Sequence, residues 1–213
     1  MNFDVWIDLV CPWCFIGKTR LDRAVARDPN GGDINIHYRS YRLGPKGILE
    51  PESIVDKMVS RGMSRTMALE KVAHSGATAA QEGLTFKTND RLVGDTTDAH
   101  CLLQWGWANG RQNAVVQRLF EAHFIEGRPI FTTSEIASVA AQIGLESAEV
   151  INICADKTLR DCVDADDRLG QSVITQGIPT IVLNGRDLIP GGQTTDSFLA
   201  LFRKIRESDQ VGH

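Results

Sequence analysis

A strand pattern that runs directly into a pair of cysteines constrains the fold of this chain most. From residue 3 to residue 10, β-forming residues alternate between two faces, and this period of two predicts a strand ending at Cys11. Apolar residues then recur at helical spacing across residues 16–25, and a second strand pattern follows at residues 34–38. A helix of this length can join two parallel strands. The N-terminal part is therefore predicted to be a β-α-β unit.

The pattern changes in the middle of the chain. Between residues 49 and 169, helix formers at helical spacing replace the strand patterns, and glycine-containing breaks divide the stretch into several predicted helices. One of them starts at Thr132, because Glu135 lies at the spacing of a capping box. We predict an inserted helical subdomain here.

Strand patterns return near the C-terminus. Two apolar runs flank Asn184-Gly185, a pair that a tight hairpin turn favours because both residues adopt positive φ. A final helix follows a cap at Thr194, Thr195 or Asp196. The predicted order is β-α-β, a helical insert, and β-β-α.

The overall composition is that of an ordinary globular protein. The chain has 213 residues, of which 42% are hydrophobic and 23% are charged, with a formal net charge of -4. At roughly 150 residues per domain, this length fits one large domain or a small one with an insertion. A slightly acidic chain argues against binding nucleic acid, and no stretch approaches the roughly 20 apolar residues of a membrane span. We therefore expect neither a nucleic-acid partner nor a membrane.

The N-terminal residues and the cysteine count indicate a cellular location. Acidic residues interrupt the first apolar stretch and no lysine or arginine precedes it, so the segment lacks the pattern of a secretory signal. The five cysteines are an odd number and too few for a disulfide-rich scaffold. We expect a cytoplasmic protein.

The segment Cys11-Pro12-Trp13-Cys14 is the chemical motif of the chain. At the junction of strand and helix, Cys11 meets unsatisfied N–H groups and the positive end of the helix dipole, which stabilise a thiolate. Cys14 is close enough in sequence to resolve a mixed disulfide formed by Cys11. Pro12 fits the first helical turn, where its missing N–H is no loss. The motif predicts redox chemistry with Cys11 as the reactive sulfur.

A structural zinc site is the alternative use of such a cysteine pair, and it needs about four ligands. No second close pair of cysteines or histidines accompanies Cys11 and Cys14 in the sequence. A metal is therefore not predicted, and dithiol exchange itself requires no cofactor.

The segment Gly177-Ile178-Pro179-Thr180 has two interpretations that the residues alone leave open. Proline is tolerated at the first residue of a strand, so the segment can simply begin one. Alternatively, the bond between Ile178 and Pro179 is cis, as about 5% of such bonds are in folded proteins.

With these motifs, the chain resembles the DsbA family of the thioredoxin superfamily, and within it the FrnE-like cytoplasmic oxidoreductases. The segments that carry the resemblance are residues 11–18, 97–100, 177–180 and 191–193. It implies an α/β thioredoxin fold with a large all-helical insertion. Residues 1–48 and 170–213 would form a discontinuous thioredoxin-like domain, and residues 49–169 the helical subdomain.

The resemblance also implies roles for the motif residues. Cys11 is the nucleophile, Cys14 resolves the mixed disulfide, and a cis Pro179 lies beside them. The candidate substrate-binding residues are Pro12, Trp13, Ile178 and Pro179. The implied function is thiol–disulfide exchange with protein or small-molecule thiols, with glutathione among them as a substrate or redox partner.

Two other function classes remain open. The glutathione-dependent 2-hydroxychromene-2-carboxylate isomerase and the kappa-class glutathione transferases resemble the chain in the helical insert, but they typically have serine where this chain has Cys11. A non-catalytic binding module or holdase is the third class. The intact cysteine pair favours the redox enzyme over both, while the direction of electron flow and the oligomeric state are not predicted.

One position departs from the family pattern. Thioredoxin and DsbA place a buried acid six residues before the nucleophile, and this chain has Val5 there. Asp8 is nearer to Cys11, but strand alternation predicts that it faces the side opposite Val5. We therefore do not expect Asp8 simply to replace that acid.

The remaining cysteines are predicted to be structural. Cys154 and Cys162 are eight residues apart, which is about 12 Å along a continuous helix and too far for a disulfide. Unpaired cysteine is commonly buried, so Cys101, Cys154 and Cys162 are expected to be mostly buried apolar residues.

Aromatic residues in the insert are expected to pack helices. We expect Trp105 and Trp107 first of all to pack helices together. The alternative is that they form a wall of a substrate-binding cleft. His100 and Cys101 are adjacent on a predicted helix and do not face each other, so no catalytic dyad is implied.

Overall fold

A four-stranded mixed sheet forms the centre of the structure. The computed structural model describes residues 1–44, 47, 50–87 and 91–211. The strands are β1 (Asn2–Ile7), β2 (Asn35–Ser40), β3 (Glu52–Ser53), β4 (Leu92–Val93), β5 (Thr180–Leu183) and β6 (Asp187–Pro190). The sheet order is β2-β1-β5-β6, in which β1 runs parallel to β2 and the other neighbours are antiparallel. The predicted β-α-β and β-β-α units thus share one sheet.

Helices surround this sheet and fill the middle of the chain. They are α1 (Pro12–Arg27), α2 (Ile54–Ser60), α3 (Arg65–Gln81), α4 (Thr97–Ala108), α5 (Gln112–Phe120), α6 (Thr133–Ala140), α7 (Ser147–Ala155), α8 (Lys157–Val173) and α9 (Thr195–Val211). A π-helical segment, Glu121–Glu126, continues α5. No helix in the described part of the chain is long and apolar enough to cross a membrane.

The inserted region differs from the prediction in one respect. Strands β3 and β4 pair as a small antiparallel ribbon inside it, so the insertion is not entirely helical. Strands of two residues are too short to show a period of two, which explains why the sequence does not reveal them.

The division into two domains stays a prediction. The predicted boundary between residues 48 and 49 lies outside the described residues, and α8 passes through the predicted boundary at residue 169. Side chains of the sheet and of most inserted helices share one buried cluster, while Val55, Ala68 and Val72 of α2 and α3 form a second, smaller one. Within the larger cluster, the ring of Phe15 in α1 stacks on Phe120 with centroids 5.0 Å apart and on Phe86 with centroids 5.6 Å apart.

A buried carboxylate in α8 connects that helix to β2 and α4. Asp166 accepts hydrogen bonds from the N–H of Ser40 at 3.0 Å, from Nε2 of Gln104 at 2.7 Å and from Nη1 of Arg39 at 3.1 Å. Its own carbonyl accepts from Nε1 of Trp6 at 3.1 Å. This single residue therefore ties together elements that are far apart in the sequence.

The local signals in the sequence are confirmed, with one correction at β1. Thr132 and Glu135 form the predicted capping box, and Thr194 caps α9. Asn184 and Gly185 have φ values of 50° and 70° in the turn between β5 and β6. Strand β1, however, ends at Ile7 rather than at residue 10, because the chain then turns over residues 8–11.

Candidate active site

Cys11 lies at the N-terminal end of α1, immediately before the first helical residue. Pro12 occupies the first helical turn, and the N–H of Cys14 donates to the carbonyl of Cys11 at 3.1 Å. Cys11 is 5% exposed and Cys14 is fully buried, whereas Trp13 is 37% exposed. Both cysteines are free thiols. Cys11 is therefore the more accessible of the two.

The surroundings of Cys14 hold the proton on its thiol. Burial raises the pKa of Cys14 well above its usual value, and the hydrogen bond with the Cys11 side chain and the charge of Asp8 raise it further. A backbone hydrogen bond from Asp8 acts in the opposite direction but does not outweigh these effects. At neutral pH, Cys14 is a protonated thiol behind Cys11.

The loop before β5 lies directly beside Cys11. The peptide bond between Ile178 and Pro179 is cis, and the carbonyl oxygen of Ile178 is 3.8 Å from Sγ of Cys11. A shallow cavity of about 350 Å³ is lined by this loop, Trp13 and Gly192. The structure thus brings Cys11, Trp13, Ile178 and Pro179 together, while Pro12 lines a larger cleft on the other side of Trp13.

Two glycines allow this loop to pack closely against α1. A Cβ atom on Gly17 would lie 2.6 Å from the carbonyl oxygen of Gly191 and 3.0 Å from Cγ of Pro179. The N–H of Gly191 donates to the carbonyl of Pro179 at 2.9 Å. The position of Pro179 beside the cysteines therefore depends on the absence of a side chain at residues 17 and 191.

We expect Gly191→Ala to destabilise the protein by about 1–3 kcal/mol and to alter the reactivity of Cys11, because overpacking displaces the proline loop. The new Cβ atom would lie 2.8 Å from both Cβ and the carbonyl oxygen of Pro179. Gly192→Ala is the matched control, since nothing lies within 4 Å of a Cβ atom there. Urea unfolding and the rate of Cys11 alkylation measure the two effects. Equal behaviour of the two variants would contradict this account of the loop.

Asp8 is buried beside the cysteine pair, and the expectation that it does not simply replace the missing acid at position 5 stays a prediction. Strand β1 ends at Ile7, so the alternation of strand residues does not extend to Asp8. The carbonyl of Asp8 accepts a hydrogen bond from the N–H of Cys11 at 3.1 Å. Its carboxylate accepts from the N–H of Leu43 at 2.7 Å and from Oγ1 of Thr96 at 3.0 Å, and Nε2 of His100 lies 3.4 Å away.

The ionisation of Asp8 is controlled by these contacts. Burial by itself raises the pKa of Asp8, but the hydrogen bonds from His100, Leu43 and Thr96, together with the charge of His100, outweigh it and lower the pKa below its usual value. Asp8 is therefore a buried carboxylate whose charge acts on Cys14. The side chain of His100 contacts the carboxylate of Asp8, and no hydrogen bond joins His100 to Cys101.

The other cysteines divide into two buried residues and one exposed residue. Burial raises the pKa of Cys101 and of Cys154 to about 12, so both are inert thiols at neutral pH. Cys162 is exposed, contrary to the prediction. The reason is that Cys162 lies on the solvent face of α8, whereas Val163 and Asp166 are on its buried face. Asp156 ends α7 and caps α8, so Cys154 and Cys162 are not on one continuous helix.

The two tryptophans of α4 contact neighbouring side chains, but only Trp105 is partly buried, whereas Trp107 is 39% exposed. The ring of Trp107 stacks on His37 with centroids 3.7 Å apart, and the guanidinium of Arg111 lies 5.4 Å from the centroid of Trp105. Neither tryptophan lines the cavities beside Cys11.

A cleft of about 630 Å³ opens beside Cys11 and is enclosed by α2, α3 and the β3–β4 ribbon. Its apolar wall consists of Leu43, Ile54, Met58, Met67 and Val93. Its charged residues are the basic Lys57, Arg61, Lys71 and Arg91 and the acidic Glu70. The sequence does not indicate these residues as functional, because tertiary packing alone sets their position relative to Cys11.

The sheet order, the helical insertion and the position of the cysteine pair define a thioredoxin-fold protein with a DsbA-like insertion. The profile of the DSBA-like thioredoxin domain family matches residues 2–203. The chain belongs to this family. Within the described residues, no three histidine, cysteine, aspartate or glutamate side chains are grouped as a metal site would require.

Solved structures with the same fold include redox proteins and an isomerase. A probable DsbA oxidoreductase from Streptomyces coelicolor is 30% identical, with 96% of this chain and 89% of that chain covered and a TM-score of 0.87. The cytosolic disulfide reductase DsbM from Pseudomonas aeruginosa, also solved with GSH, is 19% identical, with 97% and 99% covered and a TM-score of 0.68. A 2-hydroxychromene-2-carboxylate isomerase is 16% identical, with 99% of both chains covered and a TM-score of 0.69.

Proposed function

We propose that this protein is a thiol–disulfide oxidoreductase in which Cys11 is the nucleophile and Cys14 the resolving cysteine. The observation that carries the proposal is the arrangement of the two sulfurs. Cys11 lies at the N-terminal end of α1 beside the carbonyl of Ile178, and Cys14 is a buried, protonated thiol behind it. This difference between the two sulfurs supports attack by Cys11 and resolution by Cys14.

Exchange proceeds through a mixed disulfide. The Cys11 thiolate attacks one sulfur of a substrate disulfide, forms a bond to it and releases the other half as a thiolate. Cys14 then attacks Sγ of Cys11, its proton passes to the departing half of the substrate, and a Cys11–Cys14 disulfide forms. The substrate gains two electrons and the cysteine pair loses two. The reverse sequence oxidises a substrate dithiol.

The contacts around Cys11 support roles for its neighbours. The Ile178 carbonyl beside Sγ and the exposed ring of Trp13 are surfaces on which a peptide or small thiol would lie, with Pro12 and Pro179 as walls. The likeness to DsbM, which has been solved with GSH, supports glutathione as one such thiol and the cytoplasm as the location. The chemistry assigned to Cys11 and Cys14 needs no cofactor.

The Cys14→Ser variant tests the proposal, because it permits the first attack but not the resolution. Incubated with glutathione disulfide, it is expected to accumulate one glutathione on Cys11, detected by mass spectrometry of the proteolysed protein. The exposed Cys162 is replaced by serine in every variant, so that it does not add an adduct of its own. The matched control carries Cys11→Ser in addition to Cys14→Ser and is expected to stay unmodified. A Cys14→Ser protein that forms no adduct on Cys11 would refute the proposal.

A further inference from the structure

Arg91 is a buried cation on the wall of the cleft beside Cys11. It directly precedes β4, its carbonyl accepts from the N–H of Ile54 at 3.1 Å, and only 6% of the residue is exposed. The centre of the guanidinium lies 5.3 Å from the ring centroid of Phe124. Nε and Nη1 have no hydrogen-bond partner among the described residues.

No acidic side chain in the described part of the chain neutralises this charge, although the Cys11 sulfur acts on it electrostatically and favours the protonated guanidinium. None of the described carboxylates forms an ion pair with Arg91. By contrast, the buried side chains of Arg42 and Arg118 form ion pairs with Asp167 and Glu126. Burial lowers the pKa of Arg91 to about 10, so the side chain is still protonated at neutral pH. A buried cation without a partner is unfavourable unless an anion from outside the chain completes the site.

Arg91 and the candidate nucleophile, Cys11, line the same cleft. No hydrogen bond joins them, and Sγ of Cys11 faces the carbonyl of Ile178. The apolar residues Ile54, Met58 and Val93 line the same cleft. The cleft therefore offers an anion-binding group, an apolar surface and a reactive sulfur in one space.

We infer that Arg91 binds the carboxylate of a small, acidic thiol or disulfide whose apolar body lies on this apolar surface and whose sulfur reaches Cys11. The inference rests on the proposed function and adds the substrate class and a specificity-determining residue to it. A guanidinium matches a carboxylate because its N–H groups form a planar fork, which the two carboxylate oxygens can accept together.

The step is the exchange described above, with the acidic disulfide as the oxidant. The Cys11 thiolate forms a bond to one sulfur of the substrate, and the bond between the two substrate sulfurs breaks. The departing half carries away the electron pair as a thiolate. Arg91 forms no covalent bond and keeps its proton throughout.

Two aromatic disulfides of different charge test this inference. The disulfide of thionitrobenzoate carries a carboxylate on each ring, and dithiodipyridine has none. Arg91→Met is expected to slow the reaction of Cys11 with the acidic disulfide by about 10- to 100-fold, the range of a charge-assisted hydrogen bond, and to change the rate with dithiodipyridine less than about twofold. Both reagents release a coloured thiol, so stopped-flow absorbance gives both rates. Cys162→Ser is the background for all variants.

Matched variants separate the role of Arg91 from general charge effects. Arg186→Met removes the same charge from an exposed position at the β5–β6 turn and is expected to leave the ratio of the two rates unchanged. Arg91→Lys keeps a cation without the fork and is expected to restore part of the preference. Should Arg91→Met fail to fold, phenylbutyrate and phenylbutanol are compared as inhibitors of the dithiodipyridine reaction in the parent protein. Only phenylbutyrate is expected to slow it.

The outcomes distinguish this inference from the function on which it rests. If Arg91→Met slows the reaction with both disulfides equally, Arg91 acts on the Cys11 sulfur or on the fold and does not bind a substrate carboxylate. That result would overturn the inference. Unchanged rates with both, or equal inhibition by the acid and the alcohol, would overturn it too. A parent protein whose Cys11 does not react even with dithiodipyridine would instead refute the proposed function and the inference with it.

Discussion

Replacing Cys11 by serine is expected to lower the rate of disulfide exchange by at least about 1,000-fold. A serine hydroxyl is a poor nucleophile without an adjacent base, and it cannot form the disulfide intermediate at all. Insulin reduction and exchange with glutathione disulfide measure the loss.

The control is Cys162→Ser, which removes an exposed thiol on α8 and is expected to retain full activity. The same pair of variants also addresses the alternative of a glutathione-dependent isomerase. That class uses a serine at this position, so a Cys11→Ser protein with glutathione-dependent isomerase or transferase activity would favour it. Undiminished disulfide exchange in Cys11→Ser would rule out Cys11 as the nucleophile.

Replacing Asp166 by alanine is expected to destabilise the fold by about 3 kcal/mol or more. Its carboxylate satisfies the buried N–H of Ser40 and Nε2 of Gln104 and pairs with Arg39. Without it, two buried donors lose a partner, and each unsatisfied donor costs about 1–3 kcal/mol. The loss of the ion pair adds to this, although Arg39 keeps its contact with Asp4.

Asp161→Ala is the matched control on the same helix. Asp161 is exposed and forms an ion pair with Lys157 in the preceding turn, so its removal is expected to change the free energy of unfolding by less than about 0.5 kcal/mol. Both substitutions change the helix propensity of α8 in the same way, which removes that contribution from the comparison. Urea unfolding at neutral pH gives both values. Similar destabilisation by the two variants would show that the contacts of Asp166 are not what joins α8 to β2.

Features that depend on neighbouring residues were predictable from the sequence. The capping box at Thr132, the hairpin at Asn184-Gly185 and the helix that begins after Cys11 are each specified by residues within a few positions of one another. Side-chain caps, positive φ and periodic burial act over that range, so their signals survive in the order of residues alone. The family resemblance added the neighbourhood of Ile178 and Pro179.

Tertiary packing decided what lies around the cysteine pair. The turn that directs Asp8 beside Cys14, the break at Asp156 that separates Cys154 from Cys162, and the ribbon that places Arg91 on the wall of the cleft have no periodic signature. Each arises where segments distant in the chain meet, and the pKa of a buried group depends on which partners that packing supplies. The sequence alone thus determined the order and type of most elements and the position of a cysteine pair at the start of a helix, whereas only the folded structure decided which charges surround the two sulfurs, because those charges come from segments that are distant in the chain.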